Sequence, residues 1–165
     1  MADKVNAEIL VREELPADWR AAISAVVRHT RDGIRRHPWL VDLVASHPQV
    51  GPNGLRHGEQ SLAALSGLPI APEWKWRIIA AVDDYALGFV IRETLRGEGR
   101  SGYTWTPQER EALMRPYLRE LLESGEFPNL APLLGEITSG PSDADEDFER
   151  GLRWMLDGIA RELGL

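Results

Sequence analysis

Residues 71–96 read APEWKWRIIAAVDDYALGFVIRETLR, and this stretch decides the fold. Pro72 suits the first turn of a helix, where no N–H is needed, and no further proline interrupts the run before Arg96. Trp74, Ile78, Val82, Tyr85 and Phe89 recur at helical spacing and form one stripe. Trp76, Ile79, Ala80, Leu87 and Val90 form a second, interrupted by Asp83. A helix that is apolar on two sides buries both in its own core, or one there and one against a partner.

The flanking segments read as further helices. Asp18 is an expected N-cap for an apolar ladder of Trp19, Ile23, Val26, Val27 and Ile34, which should stop near Arg36 because Pro38 disfavours helical geometry at His37. His37-Pro38 and His47-Pro48 bracket a short helix, Trp39 to Ala45. Gly51-Pro52-Asn53 opens a helix to about Ser66, with Leu55, Leu62 and Leu65 on its apolar side. Thr106-Pro107-Gln108-Glu109 has the pattern of a capping box for a helix to about Ser124. A short helix is expected between Phe127 and Gly135. A final helix, Asp143 to Leu163, carries Phe148, Leu152, Met155, Ile159 and Leu163 on one stripe. No segment alternates as a strand does. The expected fold is all-α, with about seven helices.

Composition narrows the function classes. At 165 residues and 43% hydrophobic, the chain is expected to form one domain. It has no cysteine, which excludes thiol catalysis, cysteine metal sites and disulfides. No apolar run is long enough for a membrane span, and Met1-Ala2-Asp3-Lys4 is no signal pattern, so a cytoplasmic location is expected. The net charge is −7, and the acidic excess lies wholly in residues 101–165, with thirteen acidic and six basic side chains. A chain that grips phosphates by itself would show a basic patch, and none is present. There is no Gly-x-Ser-x-Gly elbow, phosphate loop or dinucleotide fingerprint, so no enzyme is expected.

Several fragments occur in a particular order: His37-Pro38-Trp39-Leu40, Gly51-Pro52-Asn53, Ala86-Leu87-Gly88-Phe89, Phe148-Glu149-Arg150-Gly151-Leu152 and Leu156-Asp157-Gly158-Ile159. Together they resemble the C-terminal ligand-binding and dimerisation domain of TetR-family transcriptional regulators. The resemblance covers residues 13–165, with 1–12 matching the end of the helix that joins the family's DNA-binding head to its body. It implies a repressor's sensing and pairing half, with DNA contacted only through an N-terminal helix-turn-helix head that this chain lacks. A misassigned start, a truncated gene and a stand-alone sensor all fit that expectation.

The resemblance also implies site residues. The pocket-facing positions are Val26 and Thr30, then Gly58, Ser61 and Leu62, then Trp76, Ile79, Ala80 and Asp83. The last four share one helix face by spacing alone. Members that bind tetracycline place an Asn where Val26 stands and a Phe where Thr30 stands, and their metal-chelating His pair has no counterpart here. The implied effector is small and mostly apolar, without metal or cofactor. Pairing in the family uses a four-helix bundle, which implies a homodimer interface at Val82, Tyr85, Phe89, Gly151, Leu152, Met155, Gly158 and Ile159. Two glycines inside the last helix independently ask for a packing reason.

Other features have plainer readings. His29, His37, His47 and His57 lack metal-ligand spacing, so no metal is expected. Arg28, Arg31 and Arg35 form a stripe expected to be solvated and paired with acids. Asp83 could meet ligand or pair with Arg77. Asp143, Asp145, Glu146 and Asp147 suit a helix start. A competing function is a head-less helical module that pairs with a full-length regulator and blocks it. A small helical enzyme that depends on a polar group such as Asp83 is a third.

Overall fold

Asp18 Oδ2 accepts a hydrogen bond from Ala21 N at 2.8 Å, and a helix starts there, as its sequence position predicts. The structure, a computed structural model, describes residues 2–41, 51–96, 107–132 and 143–165. Within them lie α1 (Ala2–Asn6), α2 (Trp19–Arg36), α3 (Pro52–Ala64), α4 (Pro72–Arg96), α5 (Pro107–Glu123) and α6 (Ala144–Leu163). No strand occurs among the described residues. Leu40 and Val41 are helical, as are Ala131 and Pro132. Trp39 and residues 128–130 are in turns instead, because Pro38 and Pro128 open each segment as a turn, while residues 42–45 and 133–135 of the two expected short helices lie outside the described residues, as does Thr106 of the expected capping box. The sequence reading passed over Pro116, which lies inside α5 and withholds one helix hydrogen bond.

The core forms where α2, α4 and α6 meet. Ile23, Val26 and Val27 of α2 join Ile78, Ile79, Val82 and Ala86 of α4 and Phe148, Leu152 and Leu156 of α6 in one apolar cluster. The end of α3 and the turn after it add Ala64, Leu65 and Leu68. Ile23, Val27, Leu65 and Phe148 are fully buried. Each such side chain contributes about 1.5–3 kcal/mol relative to an exposed one. The expected apolar side of α3 is only partly used, because Leu65 is buried and Leu62 half-buried while Leu55 is 65% exposed. Leu55 sits near the start of α3, nearly three turns from Leu65, where the core no longer covers the helix.

A polar knot closes one end of this core. Arg31 of α2 is buried, and its guanidinium donates to Glu93 of α4 at 2.6 Å and meets Asp145 of α6 at 2.8 Å. The same group stacks on Phe148 and Phe89 at 4.3 and 5.1 Å. Burial alone would lower the Arg31 pKa, but its two acidic partners outweigh that and raise it, so it stays charged. The expected arginine stripe is paired with acids throughout. Arg28 makes a two-pronged bond to Glu149 at 2.6 Å, and Arg35 reaches Asp145 at 3.3 Å. It is not uniformly solvated, since Arg31 is its buried centre.

The N-terminal segment is fastened to α3 and to the end of α2. Asp3 Oδ1 accepts from Asn53 N at 2.8 Å and Gly54 N at 3.2 Å, which caps α3 from outside the helix. Asn53 Nδ2 donates back to the Asp3 backbone oxygen and carboxylate, each at 2.9 Å. Further along, the Gln60 amide donates to Val11 O at 2.8 Å and accepts from Val11 N at 2.9 Å. Glu8 lies 3.0 Å from His37 Nε2 and 3.3 Å from the Arg36 guanidinium.

Candidate functional site

The expected effector positions lie on three helices that pack together, α2, α3 and α4. Val26 and Ile79 are buried in the common core, and Leu62 is half-buried against it. Thr30 and Ser61 are buried, and each hydroxyl donates back to its own helix, to Val26 O at 3.1 Å and His57 O at 2.9 Å. Their oxygens keep acceptor capacity. Gly58 is half-buried, and a Cβ there would meet no atom within 4 Å. Trp76 is 56% exposed and Ala80 is exposed, so this end of the α4 stripe lies at the surface.

Asp83 is the polar exception on that stripe. It is half-buried and makes no hydrogen bond or ion pair among the described residues. Burial, and secondarily the charge on Asp84, push its carboxyl up to about 6. Arg77, a candidate partner from the sequence, stacks on Trp74 at 5.0 Å instead. Sequence reasoning weighed His57 as a metal ligand, not as a pocket residue. Its Nδ1 is buried without a hydrogen-bond partner, and burial lowers its pKa. The signal was its spacing four residues before Ser61, which puts both on one face of α3. Among the described residues, no group of three or more His, Asp or Glu could hold a metal.

The expected pairing residues divide into two sets. Val82 and Leu152 are 1% exposed, buried in the chain's own core. Tyr85 and Phe89 are half-buried against the Phe148 ring at 5.3 and 5.2 Å, and the Tyr85 hydroxyl donates to Phe148 O at 2.8 Å. Gly151 lies under Tyr85, since a Cβ there would land on the hydroxyl. Met155 and Ile159 are half-buried, and Gly158 is exposed. Helical spacing marks an apolar face but not what covers it, and here much of that face is covered from within. Between α4 and α6 an apolar groove of about 260 Å³ remains, lined by Trp74, Arg77 and Ala81 on one side and Gly158, Ile159 and Glu162 on the other. Trp74, Arg77 and Ala81 lie on the opposite side of α4 from Trp76, Ala80 and Asp83.

Residues 13–163 match the family described as "Tetracyclin repressor-like, C-terminal domain". The chain belongs to this family. Among relatives of this TetR-like domain, the HTH-type transcriptional repressor DrrR1 of Streptomyces coeruleorubidus is 33% identical over 151 residues, covering 88% of this chain and 55% of its own length. An HTH-type transcriptional regulator of Saccharopolyspora erythraea is 30% identical over 165 residues, covering 99% of this chain and 64% of its own length. The chain thus spans less than two thirds of these curated relatives. Among solved structures, the TetR family protein ActR of Streptomyces coelicolor in complex with actinorhodin superposes with a TM-score of 0.74 at 24% identity, over 99% of this chain and 74% of that one. ActR with (S)-DNPA gives 0.71 at 23% identity, over 98% and 72%. These likenesses establish an all-helical TetR-type fold. No described helix is long and apolar enough to cross a membrane.

Proposed function

We propose that this chain is the effector-sensing and pairing body of a TetR-type transcriptional repressor. The effector is a small, mostly apolar molecule held between α2, α3 and α4. One observation carries this reading: Asp83, a carboxyl without a partner among the described residues, on an otherwise apolar helix face. A half-buried acid of this kind calls for a hydrogen-bond donor, and a ligand with one polar pole on an apolar body supplies it. The His57 ring, also lacking a partner on its buried nitrogen, offers a second polar contact. Two copies pair through α4 and α6. Binding acts on the output only by favouring one arrangement of the body over another.

The test is thermal unfolding with a panel of aromatic, hydroxyl-bearing compounds that includes actinorhodin, the molecule seen in ActR. A true effector at about 100 times its dissociation constant adds about 2.7 kcal/mol of stability. Asp83→Asn should weaken that effector roughly tenfold, because a neutral acceptor replaces a charged one. A panel without any stabilising member, or an effector bound equally well by Asp83→Asn, overturns the reading.

A further inference from the structure

Gly158 has no reason to be glycine within its own protomer. A Cβ built there meets nothing within 4 Å, as at Gly58 and Gly88 in the other helices, whereas within α6 the Gly151 position is filled by Tyr85. Glycine inside a helix costs about 1 kcal/mol against alanine, so a position that keeps it without an internal contact points to a close approach from outside. One turn before Gly158, on the same line of α6, stands Trp154. It is 67% exposed and is not part of the groove beside it. The groove holds about 260 Å³. That is below the ~300–1,000 Å³ typical of small-molecule sites and suits a single aromatic side chain.

We infer that the groove between α4 and α6 is the seat of Trp154 from a second copy of this chain. This rests on the pairing reading above and specifies its contact. If two α6 helices cross antiparallel about a two-fold axis near Leu156, each Trp154 lies opposite the other copy's Gly158. The contact is then the same in both directions. Glycine at the crossing lets the backbones approach at the short end of the usual 8–10 Å spacing and opens the way into the groove. Charge favours the same occupant. Arg77 and Glu162 line the groove, and neither makes an ion pair among the described residues. A face that offers one cation and one anion complements its own copy, while a face of one sign would repel it.

The experiment is sedimentation of the full 165-residue chain over a range of concentrations. The wild type should pair. Trp154→Ala should weaken pairing at least about 30-fold, as removal of a central tryptophan does. Gly158→Leu should weaken it comparably without lowering helix content, because its own protomer leaves room there. Leu55→Ala removes an equally exposed apolar side chain from α3 and should change nothing. A wild type that stays monomeric at about 100 µM, a concentration at which specific pairs form, overturns the pairing reading and the seat with it. A wild type that pairs while Trp154→Ala and Gly158→Leu pair as tightly overturns the seat alone. A groove that binds a small molecule in the unaltered dimer also overturns it.

Discussion

Arg31 carries a guanidinium into a site only 5% exposed, and four groups meet it there: two carboxylates and two aromatic faces. Its partner Glu93 has a side chain only 16% exposed, so deleting the arginine strands a half-buried charge. Arg31→Met should therefore cost about 3 kcal/mol in urea unfolding, the low end for a broken buried pair. Arg31→Lys should recover only part of this, because an ammonium cannot bridge Glu93 and Asp145 while lying flat on two rings. Asp83 gives the opposite sign. Its folded pKa of about 6 stands above its ordinary value of 3.8, so the folded chain holds this proton more tightly than the unfolded one. Stability from this group is greatest below about pH 4 and is lost as pH rises to about 6. Asp83→Asn should flatten that window. The mutant should gain on the order of 2 kcal/mol at pH 7 and nothing near pH 4, read from denaturation midpoints across that range.

At the scale of elements, the helices were legible because their signals are local. Asp18, Pro72 and Asp143 each stand at a helix start, and Asp143 accepts from Asp145 N and Glu146 N as an N-cap does. The fastening of the N-terminal segment was not legible. Its partners lie about fifty residues apart, as in the pairs Asp3–Asn53 and Val11–Gln60, and nothing in either stretch names the other. The N-terminus of α3 has no side-chain cap of its own, so Asp3 is its only charged complement among the described residues. Asp3→Ala should cost about 1 kcal/mol, as the loss of a helix cap does, although the residue lies outside the helix it caps. Hydrogen exchange should locate the effect. The amides of Asn53 and Gly54 should lose protection, while Val11, held separately by Gln60, should keep its own. Equal loss at all three would mean that α1 and the segment after it detach as one unit.

For the whole molecule, the sequence identified apolar faces and charge totals but not how each is used. The two stripes on α4 were visible, yet Val82 joins the chain's own core while Trp74 is left beside an open groove, because periodicity records a face and tertiary packing assigns its neighbour. The basic stripe on α2 shows the same limit with consequences for function. Arg28, Arg31 and Arg35 share one helix face by spacing, and each is engaged by Glu149, Glu93 or Asp145. To touch DNA, each would have to give up an acidic partner, and Arg31 would also have to leave two rings. The remaining balance is unfavourable, since the chain carries −7 and DNA affinity depends on neutralising several phosphates with free cations. This chain alone should therefore give no specific mobility shift on DNA at physiological salt and micromolar concentration, and should show no salt-dependent weak binding above background. Glu149→Gln, which frees Arg28, should not create a shift, because one exposed cation contributes too little. A tight, specific shift by the unaltered chain would mean that its own surface reads DNA, and the sensing and pairing role would then not be its only one.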